Sequence, residues 1–275
     1  MIRPFMSWLF TLLSAAVLAT GCASSAGTDM EKRLAALLPA DAILLGEQHD
    51  APDHQRVQRE VVQTLAARGQ LAALALEMAE QGHATHGLPA DASETQVRAA
   101  LQWNDDAWPW GAYGPTVMTA VRAGVPVLGA NLPRAQMRER MADPQLDRLL
   151  PGPALQAQQQ AIRLGHCGML PESQITSMTR VQIGRDVAMA QTLRSAAQPG
   201  RTVLLLAGRG HVDRQLGIPR HLPATFKLQA IELGAAAQPA SPDPGPAFDA
   251  TWPARPGPDI DHCAPFQAPR LKPAP

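Results

Sequence analysis

The chain has 275 residues but only one tyrosine, Tyr113, and aromatics make up 4% of it, so each aromatic is worth locating. Three cysteines are too few for a disulfide-built scaffold. The fold must rest on a hydrophobic core, and this length suffices to bury one. Charge of one sign is also missing. Lys+Arg is 24 and Asp+Glu is 24, so the formal net charge is zero. That removes the basic excess of a nucleic-acid binder, and none is expected as a partner. There is no Gly-x-Ser-x-Gly, no His-Glu-x-x-His and no phosphate loop. The absence of Cys-x-x-Cys-His excludes covalent c-type haem. Hydrophobic residues at 45% argue against disorder.

The longest apolar run lies at the N-terminus. Arg3 precedes a stretch from Phe5 to Ala19 interrupted only by Ser7, Thr11 and Ser14. It is short for a membrane span of about 20 residues and reads as an export signal. It ends in Leu18-Ala19-Thr20-Gly21-Cys22. Small residues before a cysteine resemble a bacterial lipoprotein processing site, which implies lipidation of Cys22 and a membrane partner. Ala23 follows, not the Asp of inner-membrane retention, so the outer membrane is the expected destination. Cys167 and Cys263 then remain in an oxidising compartment and are expected to pair.

Four nearly continuous apolar runs suit strands buried on both faces: Ala42–Leu45, Ala73–Leu76, Val125–Leu128 and Val203–Leu206. A fifth, Phe226–Leu233, alternates and reads as an edge strand. Helical spacing over His54–Arg68 and Pro115–Arg122 ends at Gly69 and Gly124. The pattern predicts an α/β fold, with a mostly parallel sheet flanked by helices. Helices are expected over Pro133–Met141, Ala154–Leu164 and Ile175–Ala197, giving a smaller helical subdomain inserted at about 132–180. Eleven of the last forty residues are proline, which predicts an extended tail. The expected layout is a leader at 1–21, a lipidated tether at 22–39, the α/β domain at 40–234 and the tail at 235–275.

Polar residues follow each buried run: Gly46-Glu47-Gln48-His49-Asp50, Glu77-Met78, Gly129-Ala130-Asn131 and Gly208-Arg209-Gly210-His211. In open α/β sheets, ligands bind beyond the carboxyl ends of the strands. Glu47 and Glu77 can be bridged structurally by Arg185, or can hold a metal or act as acid and base with His49 and His211. His54 falls on the first turn of a helix. His83 and His86 are flanked by Gly82 and Gly87 and read as loop. Tyr113 sits among Trp103, Trp108 and Trp110 before Pro115, an aromatic group suited either to a flat ligand or to a small satellite core. His166-Cys167-Gly168-Met169 reads as a soft-metal or haem site.

Taken in order, these segments resemble the ChaN-like haem-binding lipoproteins. The matching stretches are Leu44–Asp50 with His54, Leu76–Met78, Tyr113–Pro115, Ala130–Arg134, His166–Gly168, Gln182–Ala190 and Ala207–His211. The resemblance implies a parallel α/β domain with a smaller helical domain. It implies haem binding in iron uptake, a tyrosine as iron ligand and a homodimer around haem. Tyr113 matches that tyrosine, with His49, His211, Trp110, His166 and Arg185 as further cofactor contacts. The wider superfamily includes metal-dependent proteases and esterase-like hydrolases with a Gly-Glu-x-x-His pattern. Here His49 follows Glu47 after one residue, a departure from that pattern; the strand-end Glu47, His49, Glu77 and His211 make a metal-dependent hydrolase the alternative.

Overall fold

The computed structural model describes residues 25–234 and 247–264. Six strands form one sheet: β1 (Ala42–Glu47), β2 (Leu71–Glu80), β3 (Val127–Asn131), β4 (Thr202–Gly208), β5 (Leu228–Gly234) and β6 (Ala250–Pro253). Their order is β3-β2-β4-β1-β5-β6, and every neighbouring pair is parallel. β1 and β4 are buried at every position, since helices cover both faces of the sheet and only the terminal Glu47 and Thr202 are polar. Successive side chains alternate between faces. Ile43 and Leu45 enter one core, whereas Ala42 and Leu44 enter the other. Each fully buried aliphatic side chain of this size contributes roughly 1.5–3 kcal/mol.

The first core is covered by α1 (Ser25–Leu37), α2 (Pro52–Ala67) and α4 (Trp110–Arg122), with α3 (Glu94–Ala100) beside α4. Pro52 at the start of α2 lacks an N–H that would go unpaired there, and Asp53 favours the same helix end. Val57, Val61, Val62 and Leu65 recur at helical spacing and are buried. Gly69, at φ +65°, ends the run in a conformation that glycine adopts freely. On the other face lie the C-terminal half of α7 (Glu172–Ala196) and the short α8 (Arg209–Val212). The other end of α7 packs on α5 (Met137–Ala142) and α6 (Gly152–Gly165), and Ile183 joins Leu146 and Leu150 in a small separate cluster. One helix therefore belongs to both the helical lobe and the α/β core. No helix among the described residues is long and apolar enough to cross a membrane.

Four sequence expectations change. Residues 25–37 are helical, and Met30 and Leu34 are buried in the core, so that part of 22–39 is packed and not a tether. Cys22 lies outside the described residues. The proline-rich tail supplies β6, where Trp252 is buried and pairing with β5 extends the sheet. β5 is therefore an inner strand, and β6 takes the edge. Finally, α4 begins at Trp110 and not at Pro115, so Tyr113 lies within a helix. Asp105 explains that start: its carboxylate accepts from the Trp110 backbone N–H at 2.7 Å, while the indole N–H is held by Glu94 at 2.9 Å.

Candidate functional site

β2, β4 and β1 are adjacent, so their carboxyl ends bring Glu77, Gly208 and Glu47 side by side. Glu47 is 2% exposed, and an unpartnered carboxylate there would be costly. Three donors converge on it. The Tyr113 hydroxyl donates to Oε1 at 2.7 Å, His49 Nδ1 lies 2.7 Å from the same oxygen, and Gln58 donates to Oε2. Burial disfavours charge on His49, but the Glu47 hydrogen bond and the nearby carboxylates outweigh it and raise its pKa. The His49 ring meets Trp108 edge-on, with centroids 4.8 Å apart.

The second cluster lies across Gly208. Glu77 accepts from the Gly208 N–H at 2.7 Å and faces His211 Nε2 at 3.4 Å. His211 Nδ1 is 2.5 Å from Asp186 of α7. Burial alone would neutralise His211, but Glu77 and Asp186 reverse that and raise its pKa. Burial would likewise raise Glu77, yet the His211 charge beside it holds it well below the usual carboxylate range. For Asp186 burial prevails and the pKa rises. Both nitrogens of His211 are thus engaged, and neither is offered to an iron.

Arg185 does not bridge Glu47 and Glu77, because His211 and the Glu47 donors occupy those carboxylates. It points instead into a cleft of about 560 Å³ beyond β2 and β3, shared with Glu80, Trp108, Arg134 and Met137. Tyr113, for which the resemblance implies an iron-ligand role, is turned to Glu47. The side chain is 2% exposed, and its hydroxyl is spent on Glu47. Burial and that carboxylate drive its pKa upward. Trp110 is buried in the core and is no ligand contact, whereas Trp108 is half-buried and lines the cleft. His54 accepts from the Gln48 backbone N–H through Nδ1 at 3.0 Å. His83 and His86 lie in non-helical turns, not in i,i+3 helical register. Among the described residues, no group of three His, Cys, Asp or Glu side chains is placed to hold a metal ion.

A different surface gathers around the helical lobe. Cys167 and Cys263 are joined by a disulfide with Cα atoms 5.5 Å apart. The described residues include four large exposed hydrophobics: Leu149, Leu164, Met169 and Ile260. Three of them lie within three residues of the bridged cysteines. His166 directly precedes Cys167, with Nδ1 2.8 Å from the Ile162 carbonyl. A carbonyl only accepts, so Nδ1 carries a proton, and in the neutral ring the lone pair is then on Nε2. Nε2 has no partner among the described residues.

The Haem-binding uptake, Tiki superfamily, ChaN family matches residues 33–222, most of the chain. The chain belongs to this family. Family membership makes haem the cofactor and haem uptake the broad function. The structure agrees. ChaN of Campylobacter jejuni, described with cofacial haem binding, is 26% identical, with 76% of this chain and 87% of that chain covered and a TM-score of 0.61. The type III effector HopBA1 shares 14% identity over 83% of this chain and 93% of its own, with a TM-score of 0.44, too remote to carry an argument. No curated protein matches in sequence. Neither family nor fold adds support to a hydrolase. The residues present do fit haem: a free imidazole nitrogen set in exposed apolar surface is the donor set that such a macrocycle needs.

Gln58 and Asp186 are the site residues that the sequence reading missed as partners. Gln58 stands i+4 from His54 on the face that buries Val57, Val61, Val62 and Leu65. A lone amide on an otherwise apolar face was the available signal.

Proposed function

We propose that the protein is a lipid-anchored haem carrier of the bacterial envelope, which holds haem on the apolar face around His166. The observation that carries this reading is the coincidence of three exposed hydrophobics with an imidazole whose Nε2 is unpartnered. Haem, when bound, would supply an iron that accepts a nitrogen donor, and His166 would hold it. The chain's own residues do the rest. The Ile162 carbonyl fixes the His166 tautomer and ring direction, as a hydrogen-bonded partner does for metal-binding histidines. Leu164, Met169 and Ile260 offer apolar surface whose covering is favourable by about 25 cal/mol per Å². The disulfide ties the segment that carries Ile260 to the one that carries His166.

One face of this kind covers one side of a flat macrocycle. A second copy presenting the same face would cover the other, which supports a homodimer built around haem. The haem-binding arrangement described for the Campylobacter jejuni relative is cofacial, and that supports the same reading. Lipidation at Cys22 and an outer-membrane location rest on the Leu18–Ala23 sequence. Carrier protein expressed in bacteria should partition with membranes and carry acyl chains on Cys22, and Cys22→Ser should release it.

The haem site is tested by titrating ferric haem into the purified mature chain and into His166→Ala. The wild type should give a saturable ligated spectrum, and the variant should bind at least tenfold more weakly. An unchanged spectrum and affinity in His166→Ala would reject this placement.

A further inference from the structure

The cleft beyond β2 and β3 shares no lining residue with the proposed haem face and has an unfilled chemical demand. Arg185 comes from α7 and Arg134 from the turn that follows β3. Neither forms an ion pair within the described residues. Arg185 is half-buried, and its Nε is enclosed without a hydrogen-bond acceptor. A buried guanidinium N–H left unmatched is costly, and nearly all such groups in folded proteins find a partner.

The carboxylates of the cleft do not meet that demand. Glu77 is engaged by the Gly208 N–H and by His211. Glu80, at the rim, forms no ion pair with either arginine, so two cations face one uncommitted carboxylate. The remaining wall has a flat, half-buried aromatic in Trp108 and a flexible apolar side chain in Met137.

We infer that this cleft is a second ligand site, for an organic monoanion whose carboxylate or phosphate is taken by Arg185 and Arg134 and whose flat apolar body lies against Trp108. A guanidinium fork matches either oxyanion by two parallel hydrogen bonds. Glu80 sets the charge limit: with it, the two arginines leave one net positive charge. A volume of about 560 Å³ admits a drug-sized molecule.

Isothermal titration of the folded, haem-free chain provides the test, with benzoate, phenyl phosphate, inorganic phosphate and uncharged benzyl alcohol as probes. Benzoate or phenyl phosphate should bind saturably, whichever is tighter naming the preferred oxyanion. Benzyl alcohol should bind at least tenfold more weakly, and so should inorganic phosphate. Arg185→Gln should weaken the preferred probe at least tenfold, and Arg185→Lys should restore part of that loss. Circular dichroism of each variant confirms the fold. Equal binding of benzyl alcohol, or benzoate affinity unchanged in Arg185→Gln and Arg134→Gln, would overturn the inference. Haem titrations on the same variants separate the two sites. Haem affinity lost in Arg185→Gln but kept in His166→Ala would put haem itself in the cleft and overturn both readings. Loss in His166→Ala alone, with benzoate binding retained, supports both.

Discussion

The Tyr113 hydroxyl donates to Glu47 Oε1 across a gap of 66 residues, and the same oxygen receives His49. A tyrosine in this position organises a carboxylate. It orients Glu47, and Glu47 in turn fixes the His49 ring against Trp108.

Tyr113→Phe should therefore leave haem binding at the His166 face intact while destabilising the fold. The cost is the hydrogen bond and a partly unmatched buried carboxylate, about 1–3 kcal/mol. Gln58 and His49 still reach Glu47, which favours the lower end. Urea denaturation and a haem titration of the variant check both halves. A lost ligated spectrum with an unchanged midpoint would contradict them.

The contrast between the two clusters shows what the sequence could and could not reveal. Glu47, Glu77 and His211 were legible because each follows a run so apolar that only a strand buried on both sides explains it. Their partners Gln58 and Asp186 come from helices. Which face of a helix meets a strand end is set by packing across the whole sheet. β6 was hidden for another reason. It is four residues long and lies amid prolines, and it is recruited by Trp252 burial and by Asp249, whose carboxylate takes the Ala230 N–H and the Arg214 guanidinium. Tyr113 stood out by rarity, which carries no information about where its hydroxyl points.

The buried His211 makes stability depend on pH. Its pKa rises to about 10 in the fold, against roughly 6.5 in an unfolded chain. A raised pKa stabilises fully below the unfolded value, and the contribution is lost as pH climbs toward 10. Glu77 acts in the opposite sense. Its pKa falls to about 2, so its contribution is lost as pH drops below the ordinary carboxylate value. Thermal melts should decline from pH 6.5 to 9, and His211→Gln should flatten that alkaline limb. A variant whose melting temperature falls with pH as steeply as the wild type would refute the assignment.

Gly208 gives a way to disturb the strand ends selectively. A Cβ there would lie 2.9 Å from His49 Nε2 and 3.6 Å from Glu77 Oε2. The His49 ring is partly exposed and can swing aside, so Gly208→Ala should fold at a cost of about 1–3 kcal/mol. Displacing the ring from Glu47 removes the hydrogen bond that raises the His49 pKa. Proton NMR titration should then show that pKa falling relative to the wild type. A His49 titration identical in the two proteins would mean that the ring does not sit over Gly208.

The C-terminal segment offers the last handle. From β6 it crosses the loop after β1, where Asp53 takes the Arg255 N–H at 2.8 Å, Gln48 takes the Gly257 N–H at 3.3 Å, and Asp50 lies 3.2 Å from His262. It ends on the helical lobe at the Cys167–Cys263 bridge. These exposed contacts are individually weak, so the covalent tie is what holds the Ile260 segment to the helical lobe, where the haem face is proposed. The bridge spans 96 residues, and closing so long a loop is credited with about 4–5 kcal/mol in chain-entropy terms. Cys263→Ser should lower the melting temperature and weaken haem binding together. Arg255→Ala, which keeps the backbone N–H contact and removes only the exposed side-chain ion pair with Asp53 at 3.6 Å, should do neither. Haem affinity undiminished in Cys263→Ser would show that Ile260 takes no part in the site and leave His166, Leu164 and Met169 to form it alone.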